Sequence, residues 1–159
     1  MTPVSTSRRR QRGLTLVELI VAFTIMLTLT AMAVPLARYK VRRERERDLR
    51  HALREIRVAI DKYKDAADTG QLPPGELGTE GYPKTLESLV EGVKAAGQVD
   101  KKLKFLRRIP KDPFTNTTDW GKRSVQDDPT STSWGGQNIF DVYSKTSEKA
   151  RDGSNYSDW

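Results

Sequence analysis

The chain has 159 residues, no cysteine and one histidine, His51. Without cysteine no disulfide can close any loop, whatever the redox compartment. A lone histidine beside a charged helical stripe reads as solvated or packed, not as a metal ligand or a catalytic base. No phosphate-cradling Walker loop, no G-x-S-x-G and no paired-histidine zinc motif is present. Asp127-Asp128 is an acidic pair, but Pro129 and the serines around it mark a loop. Trp120, Trp134 and Trp159 read as packing residues. Nothing in this inventory calls for catalysis, so the chain is not read as an enzyme. Excess positive charge is also scarce. The formal net charge is +7, and four of those charges, Arg8, Arg9, Arg10 and Arg12, precede Gly13, leaving +3 for the remainder. Such a surplus describes a solvated mixed-charge surface, with no nucleic-acid partner. The densest charged stretch, Arg38 to Asp48, has a single aromatic, Tyr39, and no interleaved series of them to stack on bases.

What the chain does have is one long apolar run. From Leu14 to Leu36 it is almost wholly apolar or small, with one charge, Glu18, and one helix breaker, Pro35. A run of that length suffices for a transmembrane helix, which needs roughly 20 residues. The arginines before it would hold that end on the cytoplasmic side. A carboxylate inside such a run is costly and needs a partner. Cleavage after Gly13 would make one: the new α-amino group of Leu14 in one molecule can pair with Glu18 of a neighbour. Two plainer readings compete. Ala31-Met32-Ala33 is a possible secretory cleavage site and Ser7-Arg8-Arg9 hints at a twin-arginine signal, although the core is long for either. A membrane anchor without any assembly role is the other.

Basic leader, Gly13, an apolar residue, Thr15-Leu16-Val17-Glu18 and the apolar run together resemble the class III signal of type IV pilins and type II secretion pseudopilins. The resemblance implies cleavage between Gly13 and Leu14 by a prepilin peptidase and methylation of the new terminus. It also gives Glu18 and Pro35 assembly roles.

Beyond the run, Leu49, Ala52, Leu53, Ile56, Ile60 and Tyr63 recur at spacings of three and four, which predicts one apolar stripe on an amphipathic helix. Gly70 and Pro73-Pro74 end it. A single helix from Leu14 to Ala67 would span roughly 80 Å. The expected organisation is leader 1–13, transmembrane or filament-core helix 14–37, amphipathic stem 38–68 and head 69–159. Within the head, 71–81 is a loop, Pro83 to Val93 a short helix, and 109–114 a rigid extended turn. Trp120 to Val125 and Asn138 to Ser144 are short strands. A head this small is marginal without a staple; with disulfides excluded, a bound cation is the remaining candidate.

Tyr82-Pro83, Ile109-Pro110-Lys111-Asp112-Pro113-Phe114, Asp141-Val142-Tyr143-Ser144 and Asp158-Trp159 resemble, in that order, blocks of the major pseudopilin of the type II secretion system. An insertion from Thr69 to Gly81 departs from that pattern. The resemblance implies an α+β fold: a long N-terminal helix, its first half membrane-spanning, packed on a small antiparallel sheet. It also implies calcium in the C-terminal loop, with Asp152, Asp158, Ser147 and Ser154 as the oxygen-bearing residues at hand. Taken alone, Asp152-Gly153 reads more readily as a turn and Asp158 as a surface acid. The implied protein is a single-pass inner-membrane subunit with a periplasmic head. It would form a homopolymer, joined by minor pseudopilins and an inner-membrane secretion platform, and help export folded proteins. A type IV pilus subunit and a monomeric membrane-tethered binding domain are the rivals.

Overall fold

A computed structural model describes residues 15–97 and 101–159, with side chains at 32–37 left out of the description. The chain divides between Arg42 and Arg43 into two compact units. The N-terminal unit contributes the first part of helix α1, Leu16–Asp68. Helix assignment is continuous through position 35.

The C-terminal unit is built on the rest of α1. Leu49, Leu53, Ile56 and Ile60 are each at most 2% exposed. This is the stripe that the three-and-four spacing predicts, and it is buried because the head closes over it. Leu86 and Leu89, Trp120, Ile139 and Val142, and Tyr156 come from four separate stretches of the head and complete the same core. Helix α2, Glu87–Glu91, is one short turn. It stops at Gly92, whose φ of 82° suits glycine and whose missing Cβ would otherwise lie 2.8 Å from the Leu103 carbonyl.

Strands β1, Val93–Lys94, and β2, Lys102–Leu103, pair antiparallel, and so do β3, Gly121–Arg123, and β4, Asp141–Tyr143. These are two separate two-stranded sheets. Such ribbons are marginal alone and need a helix to pack on. In the second sheet Gly121 sits opposite Tyr143. A Cβ at Gly121 would fall 2.3 Å from the Tyr143 ring, so only glycine fits there. The turn at 109–114 is cross-linked to the sheet. Asp112, 1% exposed, accepts hydrogen bonds from Phe114 N at 2.8 Å and Ser144 Oγ at 2.5 Å. Trp120 Nε1 donates to the Pro110 carbonyl at 2.9 Å.

The fold is therefore α+β, with helices and two small antiparallel sheets, and it corrects the expectation in two respects. The head has no single sheet; β1 and β2 form a ribbon of their own that the sequence reading left out. More consequentially, among the described residues no helix is long and apolar enough to cross a membrane. From Arg38 onward the helix is densely charged. The expected transmembrane helix is overturned, and with it the single-pass inner-membrane placement with a periplasmic head.

Ile56→Ala should destabilise the folded chain by about 2–5 kcal/mol, because it opens a cavity where the stripe meets the head. Val58→Ala, on the exposed side of the same helix, should stay within about 0.5 kcal/mol. Chemical denaturation followed by tryptophan fluorescence distinguishes the two.

Candidate functional site

Gly13 and Leu14 lie outside the described residues, as does the side chain of Pro35. Glu18 lies within them. It stands in the first turn of α1 and is exposed. Its backbone N–H donates to Thr15 Oγ1 at 3.3 Å, and Leu19 N donates to the Thr15 carbonyl at 3.1 Å. Thr15 thus caps the helix, and Thr15-Leu16-Val17-Glu18 has the spacing of a capping box. The same four residues that carry the leader-type resemblance also start the helix. A carboxylate in the first turn is favoured there by the positive end of the helix dipole. The T-x-x-E spacing was the available signal for this second role.

The rest of the N-terminal part is unusual in having no polar face. Leu16 is 76% exposed, Phe23 58% and Leu27 68%, with Leu19, Ile20, Val21, Ile25, Met26 and Leu29 also open. These positions go all the way round the helix. The three threonines among them direct their hydroxyls inward along the backbone. Thr24 Oγ1 donates to the Ile20 carbonyl at 2.8 Å, Thr28 to Thr24 at 2.8 Å, and Thr30 to Met26 at 2.7 Å. Each hydroxyl is satisfied by its own helix, so the outer surface offers methyls and hydrocarbon. A helix that is apolar on every side is suited to complete burial.

The C-terminal tail is the second candidate site. It is fastened to α1 by arginine. Arg57 donates through Nε to Asp141 Oδ1 at 2.7 Å and through Nη2 to the carbonyls of Val142 and Trp159, at 3.2 and 2.6 Å. Arg123, 5% exposed, reaches Asp141 at 3.6 Å and donates to the Ser131 and Ser157 carbonyls at 2.8 and 3.1 Å. One carboxylate thus serves two guanidinium groups, and both also hold backbone. Arg50 lies over the Trp159 ring at 4.1 Å, and Tyr156, fully buried, donates its hydroxyl proton to Glu46 at 3.0 Å. Neither Arg57 nor Arg123 was singled out from the sequence, because their partners lie far along the chain and leave no local pattern.

The oxygen-bearing residues named for calcium are arranged for other work. Asp152 Oδ1 accepts from Ser154 N at 3.0 Å and Ser154 Oγ at 2.6 Å. Ser154 Oγ in turn accepts from Trp159 Nε1 at 3.0 Å. Asp158 accepts from Asn155 Nδ2 at 3.1 Å and from Ser157 Oγ at 3.0 Å. Ser147 is exposed. Calcium takes six to eight oxygens. Among the described residues no group of three His, Cys, Asp or Glu side chains could hold a metal. As arranged, the tail is a hydrogen-bonded turn ending on an arginine clamp.

The hydrogen bonds from Ser154, side chain first and then backbone, hold the Asp152 carboxyl below its ordinary value of 3.8. A depressed carboxylate contributes stability that is present above 3.8 and lost as pH falls through the folded-state value. An NMR titration should therefore find Asp152 with a midpoint under 3.8, and Ser154→Ala should return it toward 3.8. Arg57→Gln should free the tail, so that limited proteolysis cuts after Lys149 or Arg151 at least tenfold faster while the far-UV spectrum is retained.

Compared with known families, residues 8–34 match the prokaryotic N-terminal methylation motif. No curated protein and no solved structure matches the chain. The matched residues comprise the arginine-rich stretch, Gly13, Thr15, Glu18 and the open apolar part of α1. The chain thus carries a prokaryotic N-terminal methylation motif, consistent with the prepilin and pseudopilin-like proteins in general.

Proposed function

We propose that this chain is a structural subunit of a type II secretion pseudopilus that polymerises through its N-terminal helix and helps export folded proteins. The observation that carries the reading is the all-round apolar surface of α1 from Leu16 to Leu29, standing directly behind the methylation motif. Exposed apolar patches of this extent mark interaction surfaces. Copies of the same helix, side by side, would bury them mutually.

In this account a prepilin peptidase cuts between Gly13 and Leu14, and the new amine is methylated. The amine of one subunit pairs with Glu18 of the next. Inside a helix bundle the effective dielectric is low, so this pair is far stronger than in water. It would fix the axial register, because a shift by one turn leaves an acid and an amine buried apart. Further pseudopilin subunits and a secretion platform are the other proposed partners. The type II assignment is supported by the head: Asp112 of the 109–114 block bonds Ser144 of the 141–144 block, and Phe114 stacks on Tyr156 at 4.3 Å. The blocks that carry the resemblance thus join one another in the core.

Mass analysis of the N-terminal peptide from cells should give a start at Leu14 plus one methyl. Glu18→Ala should still be cleaved but lose polymer and secretion. A mature protein that keeps its arginine leader, or secretion unchanged by Glu18→Ala, would overturn the reading. Loss of a long surface pilus on deletion would make the chain a type IV pilus subunit instead.

A further inference from the structure

The C-terminal unit carries two surface features that the N-terminal helix does not explain. The first is a groove of about 420 Å³ between α1 and the segment after β2. Its floor is apolar: Val58, 44% exposed, with Ala59, Phe105 and Leu106. Its rim is basic, with Arg54, Lys62 and Arg107 around a single acid, Glu55, which faces His51 at 4.0 Å. Among the described residues none of those three cations is within 4.0 Å of a carboxylate.

The second feature is a knob. Leu77 is fully exposed, at 105% of its reference area. An isolated exposed leucine is ordinary; this one is held out on a braced loop. Beside it Thr79 is buried and donates through Oγ1 to the Glu76 carbonyl at 2.8 Å. The Gly78 carbonyl accepts from Nδ2 of Asn138 at 3.3 Å, and Asn138 is completely buried. Glu80 takes a positive φ of 51° and accepts from Gln126 Nε2 at 2.8 Å. The loop is thus tied to its neighbours on both sides of the leucine. Glu76 and Glu80 flank Leu77, and Asp127 and Asp128 follow directly on Gln126; in the single copy Glu76 is shared with Lys84 in an exposed ion pair at 2.5 Å.

Basic rim with apolar floor on one side, acidic flanks with an apolar tip on the other: the two features are complementary and unlike. A contact between unlike surfaces of identical copies is heterologous, and such a contact repeats without closing unless its rotation happens to form a ring. We propose that in the polymer the Leu77 loop of one copy seats in the Val58–Leu106 groove of the next, with Glu76 and Glu80 against Arg54, Lys62 and Arg107. The inference rests on the polymer reading given above and adds a head-to-head contact to it. The occupant is a second copy of this chain because the chain itself supplies the matching knob.

The absence of native cysteine makes the test clean. Leu77→Cys and Val58→Cys, both at exposed positions, are made singly in the full-length chain. They are then co-expressed in a host that supplies a prepilin peptidase. Disulfides form only when Cα atoms come within about 7 Å. After mild oxidation, the mixed pair should cross-link into dimers at least tenfold more than either variant alone, and Arg107→Glu in the Val58→Cys partner should abolish this. Wild-type polymer is scored in parallel by sedimentation. Polymer without the mixed cross-link would overturn the groove contact and leave the pseudopilus reading standing. No wild-type polymer would overturn both.

Discussion

One packing contact holds the folded head together: the α1 stripe of Leu49, Leu53, Ile56 and Ile60 against the apolar residues of the head. Each such side chain contributes about 1.5–3 kcal/mol on burial. The head supplies no comparable structure of its own. Its two sheets are two-stranded ribbons and its second helix is one short turn. Helix α2 through Leu89 and the β3–β4 ribbon through Val142 share one core with that helix face. Around that face the polar groups are aligned to keep the cover closed. Asp141 joins Arg57 to Arg123, and these two guanidinium groups hold the carbonyls of Val142, Trp159, Ser131 and Ser157. A chain without cysteine thereby fastens its C-terminal tail by charge-assisted hydrogen bonds, which are stronger than neutral ones.

The same helix has a different chemistry before the charged junction. From Leu16 to Leu29 it is apolar on all sides, and its threonine hydroxyls are turned onto its own carbonyls. Among the described residues these side chains are exposed. It begins at a capped first turn whose acid, Glu18, also belongs to the methylation motif. Start signal, uncovered surface and motif thus fall on one short segment, and a subunit that becomes complete only beside its copies accounts for all three.

Much of this was legible in the residues. The stripe was, because four buried side chains at helical spacing over about three turns leave few alternatives. The motif was, because glycine, glutamate and apolar run must fall in register. The strands near 121–123 and 141–143 were, although they are shorter than the alternation suggested. Ser124 leaves the sheet because its N–H is taken by Asp127 Oδ2 at 2.7 Å. The ribbon of β1 and β2 was not legible: two-residue strands carry no period, and Gly92 beside them reads as a helix end. The arginine clamp was not legible either, since Arg57 and Asp141 are 84 residues apart. The apolar run misled at the N-terminus: it reads as a membrane span, but among the described residues no helix is long and apolar enough to cross a membrane. In the tail, the bonds of Asp152 and Asp158 within their own turn were not legible, because they depend on the local backbone path.

The central claim is that the open part of α1 is an interface between copies of this chain. A helical reconstruction of the assembled polymer by electron microscopy tests it most directly. Residues 16–31 should lose their exposure against the same residues of neighbouring copies, with Glu18 beside the N-terminus of another subunit. The contacts of residues 49–60 with their own head should be unchanged. A polymer in which 16–31 stays open, with the heads alone in contact, would contradict the account.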